Sequence, residues 1–175
     1  MKKSVVIVIL LALFIVSCEK NGRVSNSGTV TINNDLFFDN GIQAYIIYGF
    51  LFPEGRLVSI FASPPPDITI DSDGTNLSLE ANNLNNSFYL YNSFTNETQA
   101  KEAFKNLTSL TVSQWAGSAI PLNANQIWIY RSGSEHYTKI RIISTESGEV
   151  SGRDYAECTF EWVYQPDGTL TFPAK

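Results

Sequence analysis

One histidine, one interior cysteine and two glutamates are the residues that could do chemistry in the body of this 175-residue chain. His136 is the only histidine, so a two-histidine metal site or a histidine-based zinc centre cannot be built within one chain. A nucleophilic triad would have to use His136 as its base. Its setting, Gly133-Ser134-Glu135-His136, reads as a short hairpin turn, where exposure is expected. Cys158 falls in an alternating apolar stretch, where a thiol reads as buried and inert rather than reactive or metal-bound. Glu157 and Glu161 could supply the paired carboxylates of a glycosidase. At ordinary strand spacing they read instead as solvated groups or cross-strand partners of Lys139 and Arg141. The chain has no Gly-rich phosphate loop, no Cys-x-x-Cys and no His-x-x-x-His. A non-catalytic protein without a metal site is therefore expected.

Aromatic rings are the other resource: with 11 Phe, 8 Tyr and 3 Trp, most must fill a core. Tyr45, Tyr48, Tyr89, Tyr91 and Trp115 flank turns. With His136 they are the candidate ligand-binding residues, able to line an open groove for a small hydrophobic or aromatic ligand or a sugar. The competing expectation for each ring is ordinary packing.

The N-terminal residues carry a different chemistry. Lys2 and Lys3 precede an apolar run from Val5 to Val16, which ends Ile15-Val16-Ser17-Cys18. A basic start, a short apolar core and a small residue before a cut form a secretory signal. The run is shorter than the roughly 20 residues of a spanning helix. Cysteine directly after the small residue resembles the lipobox of bacterial lipoproteins, in which the cysteine becomes the acylated N-terminus. The alternatives are ordinary secretory cleavage beside a chance cysteine and an uncleaved anchor. The expected organisation is a signal peptide over 1–17, the lipidated Cys18 with a polar tether over 18–27, and one domain over 28–175. Localisation would be the outer membrane, lipid-anchored, on the periplasmic or cell-surface face. Glu19 alone, followed by Lys20, is at best a partial signal for surface export.

Formal charge is −5, and loss of Lys2 and Lys3 with a signal peptide that holds no acid leaves −7. An acidic surface disfavours nucleic acid and electrostatic docking on anionic lipid. The membrane is then reached through acyl chains, each buried methylene contributing roughly 0.8 kcal/mol. With Cys18 acylated, Cys158 lacks an intrachain partner and no disulfide framework forms.

The elements that must position these residues are mostly strands. Thr29–Ile32, Ile42–Phe52, Leu57–Ala62, Ile68–Ile70, Leu77–Glu80 and Phe88–Tyr91 are expected strands, with Pro53-Glu54-Gly55-Arg56 turning a hairpin. Thr95 or Asn96 caps one helix, in which Ala100, Ala103, Phe104, Leu107 and Leu110 form an apolar stripe. Strands return over Gln126–Arg131 and Tyr137–Ile143, and a polar loop is expected from Ser144 to Asp154. In the strand that follows, Ala156, Cys158, Phe160, Trp162 and Tyr164 face one way, and Glu157, Thr159, Glu161 and Val163 the other. Pro166-Asp167-Gly168 turns the chain into a last strand over Leu170–Phe172. The fold class is mostly β with a minor α component: an antiparallel sandwich-like domain with one amphipathic helix.

Gln126–Tyr130, Tyr137–Ile142 and Phe160–Gly168, with the lipobox-like start, make the chain resemble the HmuY-like lipoproteins of Bacteroidetes. The resemblance covers roughly 126–172. It implies a lipid-anchored, mostly β binding module in nutrient capture, working with an outer-membrane receptor. Founding members bind haem through histidines, or through histidine and methionine in relatives. Here the mature chain would hold one histidine and no methionine, so haem is disfavoured and no family ligand residue maps to a position. A haemophore-like protein using His136 or a tyrosine, and a structural or assembly lipoprotein with a protein partner, are the rival expectations.

Overall fold

The computed structural model describes residues 25–82 and 86–173. Cys18, the signal-like stretch and the tether before Ser25 lie outside the described residues. In chain order the elements are β1 (Ser27–Asn33), β2 (Phe37–Asp39), β3 (Ala44–Ile46), β4 (Tyr48–Leu51), β5 (Arg56–Ser59), β6 (Ile68–Ser72), β7 (Leu77–Ala81), β8 (Phe88–Ser93), α1 (Glu97–Asn106), β9 (Ser118–Ala119), β10 (Gln126–Arg131), β11 (Tyr137–Val150) and β12 (Arg153–Gln165). One sheet has the order β1-β12-β11-β10-β8, a second β5-β4-β6-β7-β9, and β2-β3 is a separate ribbon. Neighbouring strands are antiparallel throughout.

Period-2 alternation explains the main core. Ala156, Cys158, Phe160, Trp162 and Tyr164 all point from β12 into one buried cluster. They meet Phe50, Phe52, Ile68, Ile70 and Leu79 of the second sheet. Phe52 sits among the rings of Phe50, Tyr130 and Trp162, with centroids 5.3, 5.4 and 5.8 Å away. The Cys158 thiol is buried, and desolvation followed by the charge of Glu157 pushes its pKa well up. It is therefore held as an uncharged thiol.

A second cluster lies on the other face of the first sheet, where Phe104 and Leu107 pack on Ile127, Ile129, Val163 and Phe172. The helix begins as its sequence indicates: the Asn96 side chain accepts from the Gln99 amide at 3.0 Å. Gln99 does not close a capping box. Its side chain instead accepts a hydrogen bond from the Thr95 hydroxyl.

This helix-covered face corrects the expected solvated row on β11 and β12. Lys139 and Arg141 are buried. The Arg141–Glu161 cross-strand pair forms, at 2.5 Å. Lys139 lies opposite Val163, not a glutamate. Its ammonium donates to the carbonyls of Phe104 (2.8 Å) and Leu107 (2.9 Å) at the C-terminal end of α1. The last carbonyls of a helix have no intrahelical donors as a rule, and they carry the negative end of the helix dipole. The ammonium also lies 4.8 Å from the Phe104 ring centroid and 5.6 Å from that of Phe172.

Three boundaries differ from expectation. The Ser144–Asp154 segment is not a loop, because β11 continues to Val150 and pairs with β12 to its first residue. Ser151 and Gly152 both have positive φ (54° and 76°), the backbone of a two-residue primed turn. The expected Ile42–Phe52 strand is broken. Asn40–Gln43 is a turn, with Gln43 at φ 54°, and the residues after it pair first with β2 and then with β5. Leu170–Phe172 does not fold back on β12. It lies along the segment after α1, with Phe172 N donating to Thr108 O.

Candidate functional site

The ribbon β2-β3 buries Ile46 but leaves most of its apolar side chains exposed. Its turn is built from its own polar groups: Asp39 Oδ1 accepts from the amides of Gly41 (2.7 Å) and Ile42 (3.2 Å). Pairing sets Phe38 opposite Tyr45 and Phe37 opposite Ile46, so the two faces of the ribbon differ. On the first, the Phe38 and Tyr45 rings meet edge-on at 5.2 Å. On the second, Phe37 meets Tyr48 at 5.5 Å, beside Leu57 in a small hollow. Ile46 is buried, but Leu36, Phe37, Phe38, Ile42, Tyr45, Tyr48 and Leu57 are all exposed.

The first face lines a cleft of about 310 Å³ between the ribbon and the β11–β12 turn. Leu36, Tyr45 and Val150 form apolar wall, and Asp35, Arg153 and Asp154 are among its polar groups. Asn34 fixes the floor: it is buried, its amide donates to Asp154 O (3.0 Å) and its carbonyl accepts from Ala156 N (2.9 Å). Tyr155, also on the cleft, donates to Glu157 at 2.8 Å. Desolvation and that bond push its pKa up to about 12, so the phenol stays neutral. Among the described residues Arg153 makes no salt bridge.

The six ring residues singled out by sequence fall in separate places, not in one groove. Tyr45 and Tyr48 belong to the ribbon and its neighbouring strand. Tyr89 and Trp115 are half-buried on the far face of the first sheet, at 6.4 Å, and Trp115 stacks on Tyr137 at 6.0 Å. Arg131 covers the same indole at 4.6 Å, so this stack is filled by the protein's own side chains. Tyr91 is exposed on β8, two residues beyond Tyr89. An open aromatic groove holding all of them is therefore ruled out by strand order.

His136 is not the exposed turn residue expected. It is half-buried, its amide donates to Ser132 Oγ at 3.1 Å, and its Nδ1 lies 2.8 Å from the Tyr164 hydroxyl. Burial, then the charge of Asp67, raises the Tyr164 pKa, so the phenol keeps its proton, and the imidazole tautomer sets which partner donates in the bond to Nδ1. Nε2 is the ring nitrogen that Tyr164 does not engage. The imidazole lines a 270 Å³ groove with Leu51, Pro53, Pro64, Pro65 and Asp67. Among the described residues, no three His, Cys, Asp or Glu side chains are placed to hold a metal ion.

No protein-family model matches the chain, and no curated protein matches it.

Phe37 and Phe38 are functional candidates that the sequence reading does not single out. Their signal is present: an apolar Leu36-Phe37-Phe38 run, then Asp39-Asn40-Gly41, then Ile42 to Ile46. An Asn-Gly step between apolar runs is a hairpin signature.

Proposed function

We propose that the chain is an outer-membrane-anchored lipoprotein whose domain is a non-catalytic binding or accessory module. The observation that carries this is the β2-β3 ribbon. Both of its faces expose apolar rings, and one face forms the wall of a cleft with a few polar groups at its floor. Clefts of a few hundred Å³ with apolar walls and sparse polar groups are the usual form of small-ligand sites. The ligand class that suits this one is a small amphipathic molecule with an aromatic or hydrophobic body against Tyr45 and Leu36 and an anionic end at Arg153. Nutrient capture is the corresponding role. The HmuY-like resemblance of Gln126–Tyr130, Tyr137–Ile142 and Phe160–Gly168 points to the same role.

A haem-binding role is the weaker alternative, because the mature chain would supply one histidine and no methionine as axial ligands. A lipoprotein that binds a protein partner would use the same ribbon.

The cleft can be probed with 8-anilinonaphthalene-1-sulfonate, a flat anionic aromatic. The folded protein is expected to enhance its fluorescence. The Tyr45→Ala/Arg153→Ala variant is expected to weaken binding about tenfold or more, the loss of one apolar side chain's burial being about 1.5–3 kcal/mol. Equal affinity for both proteins would remove the cleft as the binding site.

A further inference from the structure

We propose that the β2-β3 ribbon inserts its side chains into the phospholipid surface of the membrane that carries the anchor. Phe37, Phe38 and Ile42 are 49, 47 and 51% exposed. They occupy both faces and the turn of one two-stranded ribbon. Contiguous exposed apolar surface of this kind marks a contact with a partner or a membrane.

The occupant follows from charge and reach. From Phe37 to Ile46 the ribbon holds no Lys or Arg, and its single acid, Asp39, is turned onto the amides of its own turn. Such an element gains from apolar insertion and nothing from anionic headgroups. Reach fixes the plane. The Ser25 carbonyl packs beside Gly55, and β1 then runs roughly 20 Å toward the ribbon at the usual strand rise. The seven residues from Cys18 to Ser25 span at most roughly 25 Å. An acylated Cys18 and the ribbon can therefore lie on one bilayer surface. This placement rests on the reading of Cys18 as lipidated, and it adds a second, weaker contact to the acyl chains.

The test uses the full mature chain carrying Cys18→Ser, so that no acyl chain contributes. Flotation with phosphatidylethanolamine vesicles, with and without phosphatidylglycerol, measures partition. The protein is expected to float with both, independently of salt. Phe37→Ser/Phe38→Ser/Ile42→Ser is expected to lower partition at least about tenfold. Leu90→Ser/Ile120→Ser, which removes exposed apolar groups elsewhere, should leave it unchanged. Ile42→Trp offers a reading that leaves the ribbon intact: the emission of the introduced indole should shift to the blue on vesicles and be quenched by brominated lipid. Equal partition of the triple variant, or an Ile42→Trp emission spectrum that vesicles leave unchanged, would overturn the proposal. So would a dimer of the Cys18→Ser chain that the triple variant dissolves without any vesicle binding, which would make a second copy the occupant. Acyl labelling of Cys18 in cells is independent of all these readings, so failure of the anchor and failure of the ribbon are distinguishable.

Discussion

Lys139→Met is expected to lower stability by about 3–5 kcal/mol. The ammonium makes two charge-assisted bonds, to Phe104 O and Leu107 O, and each bond of this kind contributes about 1.5–3 kcal/mol. Methionine preserves much of the apolar stem, so the loss reports the ammonium's two bonds together with its contacts on the Phe104 and Phe172 rings. It also takes the Lys139 donor from two buried helix-end carbonyls, which is more costly than never having made the bonds. Urea unfolding measures the loss. Hydrogen exchange locates it, with α1 and the Leu170–Phe172 segment expected to open before the sandwich core. An unchanged unfolding midpoint, or uniform loss of protection, would show that Lys139 does not hold the helix.

Phe52→Ala is expected to cost about 3–5 kcal/mol, the range for emptying a buried aromatic site. Phe52 lies within ring-contact distance of Phe50, Tyr130, Phe160 and Trp162. These residues come from both sheets, so no single strand can move in to fill the cavity. Aromatic pairs add about 0.5–1.5 kcal/mol each beyond area burial, which places the cost at the upper part of the range. Domains of this kind are stable by only about 5–15 kcal/mol. The urea midpoint should therefore fall sharply, with protection lost across both sheets rather than in α1 alone. A shift below about 1 kcal/mol would mean that the site collapses around the missing ring.

The sandwich was legible because its strongest signal is local. The Ala156–Tyr164 alternation needs no knowledge of the partner sheet to identify an inward face. The helix was legible for the same reason, through Asn96 and the stripe over Ala100, Ala103 and Phe104, although the helix ends at Asn106 and leaves Leu110 of the expected stripe beyond it. What the helix covers was not legible. Lys139 and Arg141 look solvated in a strand whose other face is apolar, and only the docking of α1 across that face buries them. The β11–β12 turn was hidden because the residues before it are polar. Their strand is held by ladder pairing, and Ser151-Gly152 alone marks the reversal. The setting of His136 was hidden because its partner, Tyr164, is 28 residues away in sequence. The scatter of Tyr45, Tyr89, Tyr91 and Trp115 is likewise set by strand order, which proximity to turns does not encode.

The central claim is that this domain works at a membrane through an acylated Cys18. Cells producing the full chain can be fed an alkyne-tagged palmitate, and the protein recovered, digested and analysed by mass spectrometry. The account predicts an N-terminal peptide beginning at Cys18 that carries the tagged acyl group, with protein in the membrane fraction. Cys18→Ser should abolish both the label and the stable membrane association, leaving at most the weak contact of the ribbon. An unlabelled mature N-terminus, or wild-type membrane retention of Cys18→Ser, would contradict it.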